Sequence, residues 1–402
     1  MIEPDEAWRR IAAALSPLPP VQVPLGEAHG LILAEEVVAR EDLPPFAASA
    51  MDGYAVIAAD PAPEREVIAQ WEAGQSGVGT VRLGTAVRIM TGAPLPPGAD
   101  AVVPFEDADE RNGFVRLRTP VRTGQYVRPA GQDVAIGDSL LRAGMRLGPA
   151  EIGLLASLGH TAVSVHPRPR VAILTTGSEL VPAEATPGPG QIRDSNGPAL
   201  TAAVIEAGCS PLPLGPVADD AHALRAAILD GAARADMLLT SGGVSMGVKD
   251  LVKPLLAELG TIHFGRVAIK PGKPLTFALV GGVPVFGLPG FPVSSLVCFE
   301  NFVRPALRLM AGHTRLWRPE VPVRLTHDLH HDAERTEFQR SVVTQREGVL
   351  WATTTGSQVS GRLKSLVGAN ALLRLPRGLG DFYAGDEVIA IMVERPEVER
   401  QT

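Results

Sequence analysis

From Arg168 onward the chain repeats one pattern: a short apolar, β-branched run, a small-residue loop, then a helical stretch. Val171–Thr175 ends in Thr176-Gly177, and a helical pattern follows through Ala199–Ala207. Leu212–Val217 precedes helical Ala221–Ala233. Met237–Thr240 ends in Ser241-Gly242-Gly243 before helical Lys249–Leu259. Strand runs at 262–269, 274–280 and 284–287 then lead into a helix from Val293 to Met310. Strand and helix in alternation predict a parallel α/β sheet.

The flanks read differently. Residues 4–15 predict a helix, and Leu25–Ala39 a second helix or a helix and strand. From about 50 to 145, glycines separate short alternating runs such as Ala86–Met90 and Gly113–Leu117, the signature of a small β domain with tight turns. Ala150–Leu158 reads as helical. Beyond about 314, Val321–Leu325, Glu337–Thr344, Leu350–Thr354, Ala371–Leu375 and Glu387–Val393 predict a β-barrel-like C-terminal domain. With 402 residues there is chain enough for two to four domains.

A formal net charge of −7 excludes a global basic field for nucleic acid but leaves room for a local anion pocket. Cys209 and Cys298 lack metal-ligand spacing and read as core residues. The start, Met1 to Glu6, is acidic, and no apolar run approaches the roughly 20 residues of a membrane span. A cytoplasmic protein is expected.

Three strand ends carry loops of similar logic: Thr175–Glu179, Ser241–Gly247 and Gly287–Ser294. In a parallel sheet, ligands bind beyond the carboxyl ends of the strands. Glycine lets the backbone approach an anion, and the N–H groups and hydroxyls that follow donate to phosphate. Lys270-Pro271-Gly272-Lys273 places two cations at another strand end, with Arg266 on that strand. Glu179, Asp219, Asp220 and Asp250 are acidic at the same ends. Asp219 reads either as a helix N-cap or as an oxygen ligand for Mg²⁺, and Asp250 either as a first-turn acid or as a second such ligand. No zinc site, Ser-His-Asp arrangement or Walker A loop is present, and His330-His331 reads as a surface pair. The β domain holds a separate set: Asp52-Gly53, Thr91-Gly92 and Gly131-Gln132-Asp133.

Ala50-Met51-Asp52-Gly53-Tyr54-Ala55, Met90-Thr91-Gly92-Ala93, Thr176-Gly177-Ser178-Glu179-Leu180, Ser241–Gly247, Lys270-Pro271-Gly272 and Gly287-Leu288-Pro289-Gly290 occur in this order. The series resembles the molybdenum insertase family, MoeA and the E domain of gephyrin, from about Leu25 to Leu375. The resemblance implies a multidomain α/β plus β fold. An elongated linker domain would take 1–45 and 136–167, an inserted β domain 46–135, a MogA-like α/β domain 168–313 and a C-terminal β-barrel 314–402. It implies a molybdopterin molybdenumtransferase that inserts molybdate into adenylylated molybdopterin and releases AMP, with Mg²⁺ as cofactor. It further implies a homodimer whose site lies between the α/β domain of one chain and the β domain of its partner. The adenylyltransferase that makes the activated pterin, and the apoenzymes that accept the cofactor, are the implied further partners; nucleic acid and membrane are not.

Carried over motif by motif, the catalytic set is Asp52, Asp133, Glu179, Asp219, Asp250 and Lys270, with Asp219 and Asp250 on the metal. The substrate-binding set is Thr91, Thr176, Gly177, Ser241, Gly242, Gly243, Ser245, Gly247, Arg266, Lys273, Pro289, Gly290 and Ser357. Three positions depart from the family pattern. Phe291 stands where Asn is usual, Gln358 where His is usual, and Val248 where an acid is common. A related adenylyltransferase would share the α/β domain, but the Ala50–Ala55 motif and the C-terminal barrel argue against it, and nothing here suits a receptor-anchoring scaffold.

Overall fold

A computed structural model describes residues 1–74, 79–244 and 251–398. Helix α1 (Pro4–Ala14) opens with proline in its first turn, where a missing N–H costs nothing, and with Asp5 and Glu6 facing the positive helix end. Its Ala7 and Ile11 are buried in a core shared with the α/β and C-terminal domains. Leu25–Ala39 does not form the expected helix. It is a single turn of tight helix at Leu25–Glu27, then the short strands Ile32–Leu33 and Val37–Val38. Gly30, with φ at +82°, stops any helix there. Ala162–His166 pairs antiparallel with both Val21–Pro24 and Ile32–Leu33, so two distant segments build one small sheet.

Between them lies a six-stranded sheet, in the order Ala101–Pro104, Gly53–Val56, Thr85–Ile89, Arg65–Trp71, Phe114–Leu117, Ala108–Arg111. Buried side chains pack on both of its faces. Gly53 sits where neighbouring backbone comes closest: a Cβ there would collide with the Val103 carbonyl oxygen. Helix α2 (Pro149–Ser157) then returns the chain to the first segment.

The strands of the α/β sheet are β1 (Arg170–Thr176), β2 (Ser210–Val217), β3 (Met237–Ser241), β4 (Gly260–Phe264), β6 (Thr276–Val280) and β7 (Val283–Leu288). Their order is β2-β1-β3-β7-β6-β4. The first four run parallel, as expected. Strand β6 is antiparallel to both of its neighbours, β7 and β4, so the sheet is mixed. Gly281-Gly282, both at positive φ, makes a two-residue hairpin between β6 and β7, and such a turn joins antiparallel strands. The expected strand 262–269 is also divided. Its end, β5 (Ile269–Lys270), leaves this sheet and pairs with the C-terminal domain. Helices α3 (Asn196–Glu206), α4 (Ala221–Arg234) and α5 (Val252–Leu259) make the crossovers. The helix expected from Val293 to Met310 is present as α6 (Pro292–Cys298), a π-helical turn at Phe299–Val303, and α7 (Arg304–Met310). Pro305 has no N–H for residue 301, and the widened turn accommodates it.

Five further strands, β8 (Glu320–Leu325), β9 (Thr336–Arg346), β10 (Val349–Thr354), β11 (Ala371–Leu375) and β12 (Glu387–Met392), run in the order β9-β10-β8-β12-β11. A β11–β9 pairing closes the ring into a barrel, which removes the unpaired edges. Val323, Leu325, Val343, Ala352, Leu373 and Ala390 fill it.

Candidate active site

Beyond the ends of β1, β3 and β7 the three glycine-rich loops converge on a cleft of about 610 Å³. Thr176, Gly177, Glu179, Asp219, Ser241, Gly242, Gly243, Pro289 and Gly290 all line it. Backbone bonds fix the loops: Gly242 N–H donates to the Leu288 carbonyl, joining the second and third, and Gly177 N–H donates to the Val217 carbonyl, tying the first to the end of β2. Gly242 has φ at +98°, and a Cβ there would run into the Thr176 carbonyl oxygen. A residue other than glycine would push the first and second loops apart.

The two open readings of Asp219 separate. The helix cap is its neighbour: Asp220 accepts from the Ala223 N–H at 2.8 Å. Asp219 instead accepts from the Thr176 hydroxyl at 2.7 Å and the Ser178 N–H at 3.2 Å. Its carboxylate is thereby fixed across the ends of β1 and β2, at the cleft wall. Glu179 is exposed and folds back over Gly177, whose missing Cβ would stand 2.7 Å from Oε1. Asp250, Ser245, Gly247 and Val248 lie outside the described residues.

Two polar residues of this cleft were not among those singled out. Buried Asp194 accepts from the Thr175 hydroxyl at 2.7 Å and from the N–H groups of Asn196 and Gly197, each at 3.0 Å. Asn196 donates to Ser241 Oγ at 2.8 Å and to the Gly290 carbonyl at 2.7 Å, so one amide holds two of the loops. Asn196 Oδ1 is buried with no partner among the described residues. The polar run Arg193-Asp194-Ser195-Asn196, placed where a helix begins, was the available signal.

A second cleft of about 860 Å³ lies against the barrel, lined by Lys270, Lys273, His327, Arg335, Gln358 and others. Pro274, Pro289 and Phe291 border both clefts. Phe291, 62% exposed, stands between them at the N-cap of α6 without a capping side-chain bond. Lys270 is not at an end of the α/β sheet as expected. On β5 it forms an ion pair at 3.2 Å with Glu337, which is almost fully buried. His331 Nδ1 lies 3.2 Å from the same carboxylate, and its Nε2 lies 3.0 Å from the Pro376 carbonyl oxygen. The expected surface pair of histidines is therefore half right, since His330 is exposed and His331 is buried.

Arg266 lies between β4 and β5 rather than on a strand, and its carbonyl accepts from the Ile2 N–H. Ser357 is exposed, and its carbonyl faces Arg340 Nη2 at 3.5 Å. Gln358 uses its amide on the backbone, accepting from Arg340 N–H at 2.8 Å and donating to the Gly356 carbonyl at 2.9 Å. Arg340 itself is fully buried, with its guanidinium on Ser365 Oγ and carbonyl oxygens; burial lowers its pKa to about 10.

The β-domain residues form a separate group. Asp52 Oδ1 accepts from both the N–H and the hydroxyl of Thr91, at 2.7 and 2.8 Å. The N–H first, and then the hydroxyl, holds the exposed Asp52 carboxyl below the ordinary aspartate range. Asp133 is exposed near Leu43, to whose carbonyl its N–H donates. None of Asp52, Thr91 and Asp133 lines either cleft.

Residues 2–159 match the family model of the MoeA N-terminal region (domain I and II). Residues 172–309 match that of a probable molybdopterin binding domain, and 322–393 that of the MoeA C-terminal region (domain IV). Molybdopterin molybdenumtransferase 2 of Mycobacterium tuberculosis is 38% identical over 401 residues, covering 96% of this chain and 98% of that protein. Molybdopterin molybdenumtransferase of Nostoc sp. is 39% identical over 384 residues, covering 92% and 88%. Among solved structures, the molybdopterin biosynthesis MoeA protein from Pyrococcus horikosii superposes with a TM-score of 0.86 at 32% identity, covering 98% of this chain and 100% of that one.

Proposed function

The chain belongs to the MoeA family and acts as a transferase in molybdenum cofactor biosynthesis, and from that premise we propose that it inserts molybdate into adenylylated molybdopterin and releases AMP. The observation that carries this reading is the convergence of three anion-suited loops and the pinned Asp219 on one cleft, with a lysine-bearing cleft beside it. We propose the division into domains at 1–45 with 136–167, 46–135, 168–313 and 314–402, and cytoplasmic work as a homodimer.

In this proposal the loop N–H groups and the hydroxyls of Thr176 and Ser241 bind pterin and phosphate oxygens. Asn196 keeps the second and third loops in register for that ligand. Lys270, Arg266 and Ser357 are the candidates for holding molybdate, an oxyanion that needs cationic or hydroxyl donors. Cleavage adds water across the phosphoanhydride, giving AMP and the pterin's own phosphate. Positioning and charge neutralisation supply most of the acceleration in such transfers.

Mg²⁺ is part of the proposal. Among the described residues no three His, Cys, Asp or Glu side chains gather to enclose a metal. Mg²⁺ does not need that, because it retains waters and takes one or two carboxylates beside substrate phosphates. The donors at the cleft are of the right kind, with Asp219 fixed and Glu179 near it, and Asp250 is proposed as the other ligand. Bound there, the ion would polarise the phosphoanhydride as a Lewis acid.

The experiment is direct. Purified protein is incubated with adenylylated molybdopterin, Mg²⁺ and molybdate, and AMP and active cofactor are measured. AMP release that depends on Mg²⁺ supports the reading; no AMP above a no-enzyme control overturns it.

A further inference from the structure

We propose that a pocket at the opposite edge of the α/β domain binds a phosphate-like anion, either free or as a phosphate monoester. The pocket, of about 300 Å³, lies where the linker domain meets the ends of α3 and α7. Arg146, Arg168 and Arg308 reach it from three separate segments. The Nη2 atoms of Arg146 and Arg168 lie 3.3 and 3.7 Å from the point where a side chain on Gly30 would begin, so the two guanidinium groups are neighbours. Arg308 is half-buried on α7.

Like charges converge here without the carboxylates that would ordinarily neutralise them. Among the described residues no carboxylate lies within ion-pair distance of Arg146, Arg168 or Arg308. Glu206 borders the pocket, but its carboxylate is engaged by Arg318 at 2.6 Å. Arg168 Nη2 donates to the His29 carbonyl at 3.1 Å and Arg308 Nε to the Arg315 carbonyl at 2.9 Å, so backbone oxygens position these groups without cancelling their charge, and in a chain of net charge −7 such a cationic concavity is the reverse of the general trend. His313 borders the same pocket. Burial, and then the charges of Arg308, Arg304 and Arg146, pushes its pKa down to about 4. A tetrahedral oxyanion would offset this repulsion and match the forked guanidinium donors.

The pocket is distinct from the proposed active site. Arg168 precedes β1, and the active-site cleft lies beyond the other end of that strand. At ~3.3 Å per residue the seven residues of β1 put the two roughly 20 Å apart. An anion held here would join the linker domain to the α/β domain.

Isothermal titration of the full chain with inorganic phosphate, at low ionic strength and pH 7, tests the proposal. Saturable binding is expected, weakened about tenfold in each of Arg146→Gln and Arg168→Gln, the loss of one charge-assisted bond. Both residues are exposed, so the variants should fold, which circular dichroism checks. Arg122→Gln, on an exposed loop of the β domain, should bind as wild type. Phosphate should also raise the His313 midpoint, read by NMR, in the wild type and not in Arg146→Gln. Parallel titration with AMP distinguishes the sources, read only from the part of the binding that Arg146→Gln weakens, because AMP is also the product of the proposed active site: tighter Arg146-dependent binding of the ester identifies a monoester site, and equal or weaker binding a free-anion site. No saturable binding of either, or equal binding by wild type, Arg146→Gln and Arg168→Gln, overturns the proposal.

Discussion

Asp219 and Asp220 are adjacent acids with different work, and their substitutions should separate it. Asp220 caps α4, and asparagine caps about as well as aspartate. Asp220→Asn should therefore leave both stability and turnover near wild type, while Asp220→Ala costs about 1 kcal/mol in denaturant unfolding. Asp219→Asn keeps an acceptor for Thr176 but loses the charge at the cleft. It should fold normally and lose Mg²⁺-dependent AMP release; wild-type release would assign Asp219 to loop structure alone. Asp52 offers a pH test. Its carboxyl is held below the ordinary value of 3.8, mainly by the Thr91 N–H. A depressed folded-state pKa means the interaction is fully present at neutral pH and is lost as pH falls through that depressed value. An NMR titration should therefore give a midpoint below 3.8. Thr91→Val removes the hydroxyl but keeps the N–H, so it should recover only part of the shift. A wild-type midpoint at or above 3.8 would refute the anchoring.

At the scale of elements, Phe291 is an N-cap that does not cap. Asparagine at this position would accept from an N–H of the first turn of α6, and little burial is lost because Phe291 is mostly exposed. Phe291→Asn should raise the unfolding free energy by about 1 kcal/mol. A lower denaturant midpoint would show that the aromatic ring stabilises the cleft more than a cap would. Lys270 joins elements too, since its ion pair with Glu337 ties β5 to β9. Lys270→Gln leaves the buried Glu337 with His331 as its remaining side-chain partner, so it should destabilise by about 1–3 kcal/mol. Glu337→Gln in the same chain should recover part of that loss, and simple additivity of the two would deny the coupling. The repeated strand-loop-helix text made most of this domain legible. The barrel strands were legible as well, as short apolar or β-branched runs bounded by turns, although only Glu320–Leu325 keeps a clean two-residue period. The Gly281-Gly282 hairpin was visible as two residues but was read within a parallel scheme. The split of 262–269 was not visible, because a two-residue strand has no period and its partner lies in another domain. Glu337, His331 and Arg340 escaped for a related reason: each sits in or beside a barrel segment, where only tertiary packing distinguishes a buried charge from a solvated one. Asp194 and Asn196 were legible as a polar run, yet Asp194 acts on a residue 19 positions away and Asn196 joins loops through contacts 45 and 94 positions away.

On the scale of the whole molecule, the motifs fall into two groups that one chain does not bring together. Asp52 and Thr91 face each other in the inserted β domain, while the loop cleft belongs to the α/β domain, and neither residue borders that cleft. A two-fold dimer is the simplest arrangement that would unite them, because an isologous contact brings one chain's β domain to the other's cleft and builds two equivalent sites. The proposed homodimer then has a consequence that a monomeric enzyme does not. Asp52→Ala chains and Asp219→Ala chains should each be nearly inactive as homodimers. In a heterodimer with one chain of each kind, one site carries both lesions and the other carries neither. Differently tagged chains, coexpressed and purified through both tags, should regain up to half of wild-type AMP release per dimer. Sites built within single chains would leave each with one lesion, and activity would stay at the level of the separate variants. That result, in heterodimers verified by mass, would remove the shared site, and a single-chain mass in sedimentation at working concentration would remove the dimer itself.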